Sequence, residues 1–524
     1  MRWLKKIFAK DQSDKAIDNL LPEAVVDLLP SGNASALREV LLSEVPKGTV
    51  SRKQLLENAE IAGWPVRELA KLEAYFLFFS GDTALAYQKL MAENLAEGDF
   101  HLLMTGCVYC YLHDRFVEGY QLVCRYDPRG FAGFSAEDFY PNAGYLAYAG
   151  GGDILAAAKY YACLTEITPM LAVNAYMIYF SAGDFEKVDQ LSTYIRQHCV
   201  NDSLAMYALS WVELARDFYP EGFRLAEHRY TMGEESGKSI DPWLMDFPRW
   251  QGESLAGKTI FVHGEQGLGD VVMMARYLPM LQEMGAKKVI VDATESLVTL
   301  LANNFPDCEF ISRSKGRTGY SGFDCWVGMM SLPFYFATKN DTVPRTSGYL
   351  KVPEDQARYW SGRVSELADN ERFKVGIAWS GNPHHRYDRI RSLPFELIAP
   401  YLGSSFEAEF FSLQIAEPLE KGGLHCLAEE LITMSDTAAL ISEMDLVITI
   451  DTSIVHLAGA LAIPTWLLLP HRYEWRWGLS GEKNNWYDTV AVLRQQSHGD
   501  WQGLLKSVFS DRLPTYIAEK RPVQ

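Results

Sequence analysis

Hydrophobic positions recur along this chain with two different periods. Residues 1–60 are helical in pattern. From about residue 70, apolar helical stretches come in pairs, each pair joined by a turn centred on aspartate. The turns fall at Asp82, Asp114, Asp153, Asp184 and Asp217, so the unit repeats every 31–39 residues. Where the turn reads Gly-Asp, glycine is expected to end the first helix and aspartate to cap the second. Neither helix of a pair buries its apolar face alone, so neighbouring pairs must stack. The aromatic residues of the region, such as Tyr111, Tyr145, Tyr148 and Tyr176, then belong mostly to the core between repeats.

Residues 230–256 break this pattern with Gly233, Gly237, Pro242, Pro248 and Gly252, and read as a linker. Short β-branched runs follow, separated by helical stretches, as in parallel α/β structure. Strands are predicted at Thr259 to Val262, Val289 to Asp292, Asp324 to Val327, Lys374 to Trp379, Glu409 to Gln414, Val447 to Ile450 and Thr465 to Leu469. Residues 338–353, polar with Pro344, Gly348 and Pro353, read as a crossing segment between two α/β halves. The fold class expected is therefore α followed by α/β. A helical repeat domain spans 1–240, a first Rossmann-like half 255–345 and a second 346–510.

Three turns after strands carry candidate chemistry. Such turns lie at the carboxyl edge of a parallel sheet, where open α/β folds bind ligands. His263-Gly-Glu-Gln-Gly-Leu-Gly-Asp270 is glycine-rich, and Gly267 and Gly269 permit close backbone approach, though the glycine order is not that of a dinucleotide site. Asp270 reads as a helix cap and also as a carboxylate at the sheet mouth, available as a general base. Ser380 opens a loop holding His384, His385, Arg386, Arg389 and Arg391, whose guanidinium forks match phosphate oxygens. A solvated basic loop is the plainer reading. Asp451-Thr452-Ser453 favour a helix N-terminus, with His456 one turn in. Free N–H groups and the helix dipole make this a seat for a diphosphate, or simply an ordinary capped helix.

At 524 residues the chain exceeds a single core. Its formal charge of −18 argues against nucleic-acid binding but leaves room for a local cationic pocket. No apolar run is long enough to span a bilayer. The start, Met1 to Phe8, lacks the apolar core of a signal peptide, and at most a peripheral membrane contact is expected. The eight cysteines are scattered, and Cys107 with Cys110 has no second pair to complete a metal site. Buried thiols in a reducing cytoplasm are expected.

The motifs, taken in order, resemble a known group. Gly264 through Pro279, Trp379-Ser-Gly-Asn-Pro383, Arg391-Ser-Leu-Pro394, Ser412-Leu-Gln414, Asp436 to Leu440, Asp451 to Ala460 and Trp475-Arg-Trp477 with Trp486-Tyr487 are similar to bacterial tetratricopeptide-repeat glycosyltransferases of GT-B fold, related to glycosyltransferase family nine, which holds the heptosyltransferases. Glu227-His-Arg229 matches the junction usual in that group. The repeat spacing is close to the ~34 residues of tetratricopeptide repeats.

The resemblance implies inverting transfer of a sugar from a nucleotide-sugar donor, with no metal and no other cofactor. Asp270 would take the acceptor proton. Asp451, Thr452, Ser453 and His456 would seat the diphosphate, with Ser380 and Arg386 or Arg391 neutralising the leaving group. Gln414 and Asp436 would lie near nucleoside or donor sugar, and Gly267, Gly269 and Arg276 would shape the acceptor side. The family commonly has lysine at the phosphate-contacting position, so which arginine serves is open. A protein acceptor, flagellin or another surface protein, would lie on the concave face of the repeats. A lipopolysaccharide acceptor, or a non-catalytic nucleotide-sugar binding module, are the alternatives.

Overall fold

The computed structural model describes residues 22–31, 33–236, 242–313, 321–344, 346, 348–369, 371–383, 385, 388–402, 408–415, 423–471 and 474–520. Residues 1–8, on which the peripheral membrane contact was expected, lie outside these. The chain divides into two compact units, Met1–Ile178 and Tyr179–Gln524. No helix among the described residues is long and apolar enough to cross a membrane.

The described part of the first unit is helical. Val66–Ser80 packs on Thr83–Ala92, Phe100–Leu112 on Phe116–Arg125, and Ala136–Leu146 on Ile154–Ala162. Tyr75, Phe78, Leu90, Phe100, Leu122 and Phe139 share one core. The aspartate turns are of two kinds. After a left-handed glycine, Asp153 and Asp184 accept the backbone N–H three residues on, as expected of caps. Asp82 holds the cap position without a side-chain bond. Asp114 and Asp217 follow no glycine and take the left-handed conformation themselves, with φ of 54° and 65°. Arg115 and Phe218 then stand at the helix starts. Aspartate tolerates this backbone better than most residues, so one residue type solves both versions of the turn.

The second unit begins within the helical region. Helices Phe185–His198, Ser203–Ala215, Tyr219–Ala226 and Arg229–Ser236 precede ten strands among the described residues. They are β1 (Thr259–His263), β2 (Lys288–Ala293), β3 (Cys308–Ser312), β4 (Cys325–Gly328), β5 (Phe373–Ala378), β6 (Ala408–Ser412), β7 (Leu424–Cys426), β8 (Leu446–Ile450), β9 (Thr465–Leu469) and β10 (Val490–Arg494). Two all-parallel sheets result, ordered β3-β2-β1-β4 and β10-β9-β8-β5-β6-β7. The strand order turns back at β1 in the first sheet and at β5 in the second. The crevices that open at such reversals, beyond the carboxyl ends of β1 and β4 and of β5 and β8, are where a ligand fits.

The segment read as a linker also packs. Tyr230, Leu244, Phe261, Ile290 and Trp326 form one buried cluster, so residues before the first strand cover a face of the first sheet. The Trp326 N–H donates to the Pro248 carbonyl at 3.0 Å, and the Trp250 N–H to the Trp326 carbonyl at 2.8 Å, which closes the β4 edge. The C-terminal helix Leu513–Lys520 packs Leu513 and Ile517 onto the core under the second sheet.

Candidate functional site

The carboxyl edges of both sheets open onto one cavity of about 1030 Å³. Its lining comes from the turns after six strands: Gln266 to Asp270 after β1, Met330 after β4, Ser380 to Asn382 after β5, Leu413 to Ile415 after β6, Asp451 to Ile454 after β8, and Leu469 and Pro470 after β9. Helices Ser203–Ala215 and Tyr219–Ala226 add a further wall, with Tyr207, Trp211, Leu214 and Phe223.

Asp270 stands third in the helix Leu268–Met274. One carboxylate oxygen, Oδ2, accepts the Gly267 N–H at 3.0 Å, so the side chain caps its own helix. The other, Oδ1, meets Nη2 of Arg476. Burial works against ionisation of this group, but the Arg476 charge and the Gly267 N–H outweigh it and hold the carboxyl below its usual range. The two expected roles, cap and cavity carboxylate, therefore coexist in one residue.

Gly269 has a steric reason. A Cβ there would lie 2.5 Å from Cδ2 of His456. The helix Ser453–Ala460 thus crosses the first turn of Leu268–Met274 at glycine distance. Gly269→Ala should destabilise the protein by about 1–3 kcal/mol, as overpacking does. Denaturant unfolding measures this, and a change below ~0.5 kcal/mol would show that His456 can simply turn away.

His456 lines the cavity. Its Nδ1 is 3.0 Å from the Tyr487 hydroxyl, and its ring stacks on Trp477 at 5.4 Å. Burial, with the charge of Arg476, pushes its pKa down to about 3, so the imidazole is neutral and offers a hydrogen bond rather than a charge. Thr452 is the N-cap of Ser453–Ala460, its Oγ1 accepting the Ile454 N–H at 3.3 Å. Burial raises the pKa of Asp451.

Of the arginines of the basic loop, Arg391 reaches the cavity. Its Nη1 donates to the Asp451 carbonyl at 2.7 Å and its Nε to Asp388 at 3.1 Å. Arg389 is exposed and away from the lining, and Arg386 lies outside the described residues. Gln414 accepts the N–H groups of Trp379 and Ser380 at 3.0 and 3.1 Å and donates to the Ser380 hydroxyl at 2.8 Å, tying the ends of β5 and β6 together.

Two expected site residues stand away from the cavity. Asp436 accepts the N–H and hydroxyl of Thr433 and caps the helix Met434–Ser442. Arg276 is fully buried, donates to the Met273 and Trp486 carbonyls, and faces the rings of Tyr349 and Tyr487, each at 4.7 Å. It bolts the first half to the crossing segment and the second half.

The sequence reading assigned no role to Glu474 or Arg476. Glu474 accepts from Nη1 of Arg476 at 2.5 Å and from the Arg476 N–H at 2.8 Å. Burial, opposed by Arg476 and reinforced by Asp451, pushes its acid up to about 7. A carboxyl raised in this way adds stability that is complete below its unfolded value, near 4.5, and is lost as pH rises through about 7. Glu474→Gln, which stays neutral, should therefore gain melting temperature relative to the parent chain between pH 5 and pH 8. A pH-independent difference between the two would contradict the raised acid. Among the described residues, no group of three or more His, Cys, Asp or Glu side chains is arranged to hold a metal ion.

No family model matches the chain. Protein FlbA of Caulobacter vibrioides is 26% identical over 335 residues, an alignment covering 57% of this chain. The chain spans only 54% of the length of that relative. Among solved structures, a glycosyl transferase family 9 protein from Veillonella parvula aligns with 51% of this chain and 100% of its own, at 14% identity and a TM-score of 0.38. The ADP-heptose lps heptosyltransferase II of E. coli aligns with 50% of this chain and 99% of its own, at 16% identity and a TM-score of 0.35.

Proposed function

We propose that the chain is a glycosyltransferase of GT-B architecture that moves a sugar, with inversion, from a nucleotide-sugar donor to a protein acceptor in the cytoplasm. One observation carries this reading: an ionised Asp270 and the start of the helix Ser453–Ala460 open onto the same cavity. A base and an anion seat are the two halves of a single displacement. The acceptor hydroxyl oxygen attacks the anomeric carbon and forms the new C–O bond. The bond from that carbon to the phosphate oxygen breaks, and its electron pair leaves with the nucleoside diphosphate. The acceptor proton passes to Asp270.

Charge develops on the departing phosphate. In this reading the helix start at Ser453 and the Arg391 guanidinium stabilise it without a bound metal. The volume of about 1030 Å³ is at the upper end of the range of ligand pockets, consistent with two substrates. A protein acceptor rests on the repeat pattern of the preceding helices, whose spacing suits tetratricopeptide-like pairs that hold peptides.

A melting-temperature screen against UDP-, GDP-, ADP- and dTDP-sugars tests the proposal, with CMP-sugars, which carry a single phosphate, as the comparison. A ligand at ~100 times its Kd stabilises the native state by about 2.7 kcal/mol. One nucleotide class should raise the melting temperature, and that donor should then be hydrolysed slowly or transferred. No shift and no turnover with any donor would end this reading. Transfer to lipopolysaccharide but not to protein would keep the reaction and replace the acceptor.

A further inference from the structure

Arg476 is a cavity cation with no role in the displacement proposed above. It belongs to the second α/β half, on the short turn Trp475–Trp477, whereas Asp270 belongs to the first. Their ion pair therefore spans the cavity. Both partners are largely sequestered, with side-chain exposures of 12% and 16%. The guanidinium also holds Glu474 and faces Asp451, the residue just before the capped helix. Its Nε lies buried with no hydrogen-bond partner among the described residues. A buried, unsatisfied N–H on a cation is costly, and an anionic oxygen is the group that would satisfy it.

The pairing also limits Asp270. One oxygen serves the Gly267 N–H and the other serves Arg476. A carboxylate beside a guanidinium has a depressed proton affinity and is a poor base. A general base works best when its proton affinity lies near the working pH.

Taking the proposed function as the premise, we infer that Arg476 is shared between Asp270 and the donor diphosphate, so that donor binding draws the guanidinium onto phosphate and releases Asp270 as the base. Arg476 is then a catalytic residue that touches the leaving group, and it orders the reaction. Asp270 stays restrained while the donor seat is empty, and the donor itself lifts the restraint. Fork geometry suits this exchange, because one guanidinium can present two N–H edges to different anions.

Asp270 and diphosphate then compete for one cation, which binding measurements can read. The nucleoside diphosphate found by the donor screen is titrated calorimetrically into the full chain, Asp270→Asn, Arg476→Gln and the double variant. Asp270→Asn should bind it about tenfold tighter, within the usual range of coupling between two sites. In the Arg476→Gln background the same change should alter affinity by less than about threefold, with only bulk charge left to act. Equal tightening in both backgrounds, or none in either, overturns the inference while leaving the proposed function intact. If the unaltered chain binds no nucleoside diphosphate, the proposed function itself fails. Should Arg476→Gln not fold, the sign of the Asp270→Asn effect in the otherwise unaltered chain still decides. Unchanged or weaker binding there counts against a shared cation.

Discussion

Asp270→Asn is expected to lower kcat for sugar transfer by roughly 10²–10⁴-fold, the span that general-base catalysis contributes. The isosteric amide cannot accept the acceptor proton. It can still present an oxygen to the Gly267 N–H, so the helix start and the fold should survive. Donor binding should not be lost, because the diphosphate seat lies on the helix Ser453–Ala460, and release of Arg476 from Asp270 should tighten it. The check is a transfer assay at saturating donor, with melting curves to confirm the fold. A variant that keeps more than about a tenth of the parent kcat would remove Asp270 from the mechanism. Loss of donor binding together with turnover would mark Asp270 as part of the donor site rather than as the base.

Arg229→Ala is expected to destabilise the second unit by about 3–5 kcal/mol, the cost of breaking a buried pair by removing one partner. Arg229 is 8% exposed and forks onto Glu265, with Nε to Oε2 at 2.8 Å and Nη2 to Oε1 at 2.6 Å. Its Nη1 holds Glu227 at 2.8 Å, and Nη2 also reaches the Ser331 hydroxyl at 2.7 Å. Alanine would leave the Glu265 carboxylate buried against the Met330 N–H and the Tyr230 hydroxyl with no countercharge.

The same network joins the last helices before the strands to the first sheet, and so sets where Tyr207 and Trp211 stand in the cavity wall. Arg229→Ala should therefore also raise KM for the acceptor more than for the donor. Denaturant unfolding gives the stability, and the double variant Arg229→Met with Glu265→Gln tests the cause. If unpaired charge is responsible, the double variant should recover most of the loss. A single variant within ~1 kcal/mol of the parent would mean that water reaches the carboxylate.

The α/β halves were legible because their central strands are buried on both faces. Val447 to Ile450 is a β-branched run and Thr465 to Leu469 is apolar after its first residue, and both are strands in the structure. Cys308–Ser312, Leu424–Cys426 and Val490–Arg494 were missed. Each lies at a sheet edge; in the first two burial is partial and polar residues are admitted, while Val490–Arg494 is a short apolar run that ends in a charge. The segment around Trp243 and Phe247 read as a linker from its glycines and prolines. Its aromatic side chains nevertheless pack against the cluster on the first sheet, a contact that no local pattern encodes.

The site divides along the same line. By itself the sequence determined which residues stand at strand ends and helix starts, Asp270, Ser380, Thr452 and Ser453 among them, because strand period and cap preference are local. It read Gly269 as part of a glycine-rich turn, whereas the structure starts the helix at Leu268 and makes Gly269 its second residue. Only the tertiary structure decided that Gly269 makes room for His456, that Arg276 and Asp436 stand away from the cavity, and that Arg476 meets Asp270 across it. Those outcomes depend on pairing residues as much as 210 positions apart. Such pairings are set by how two sheets and the helices against them close on one another, and that closure is a property of the packed whole.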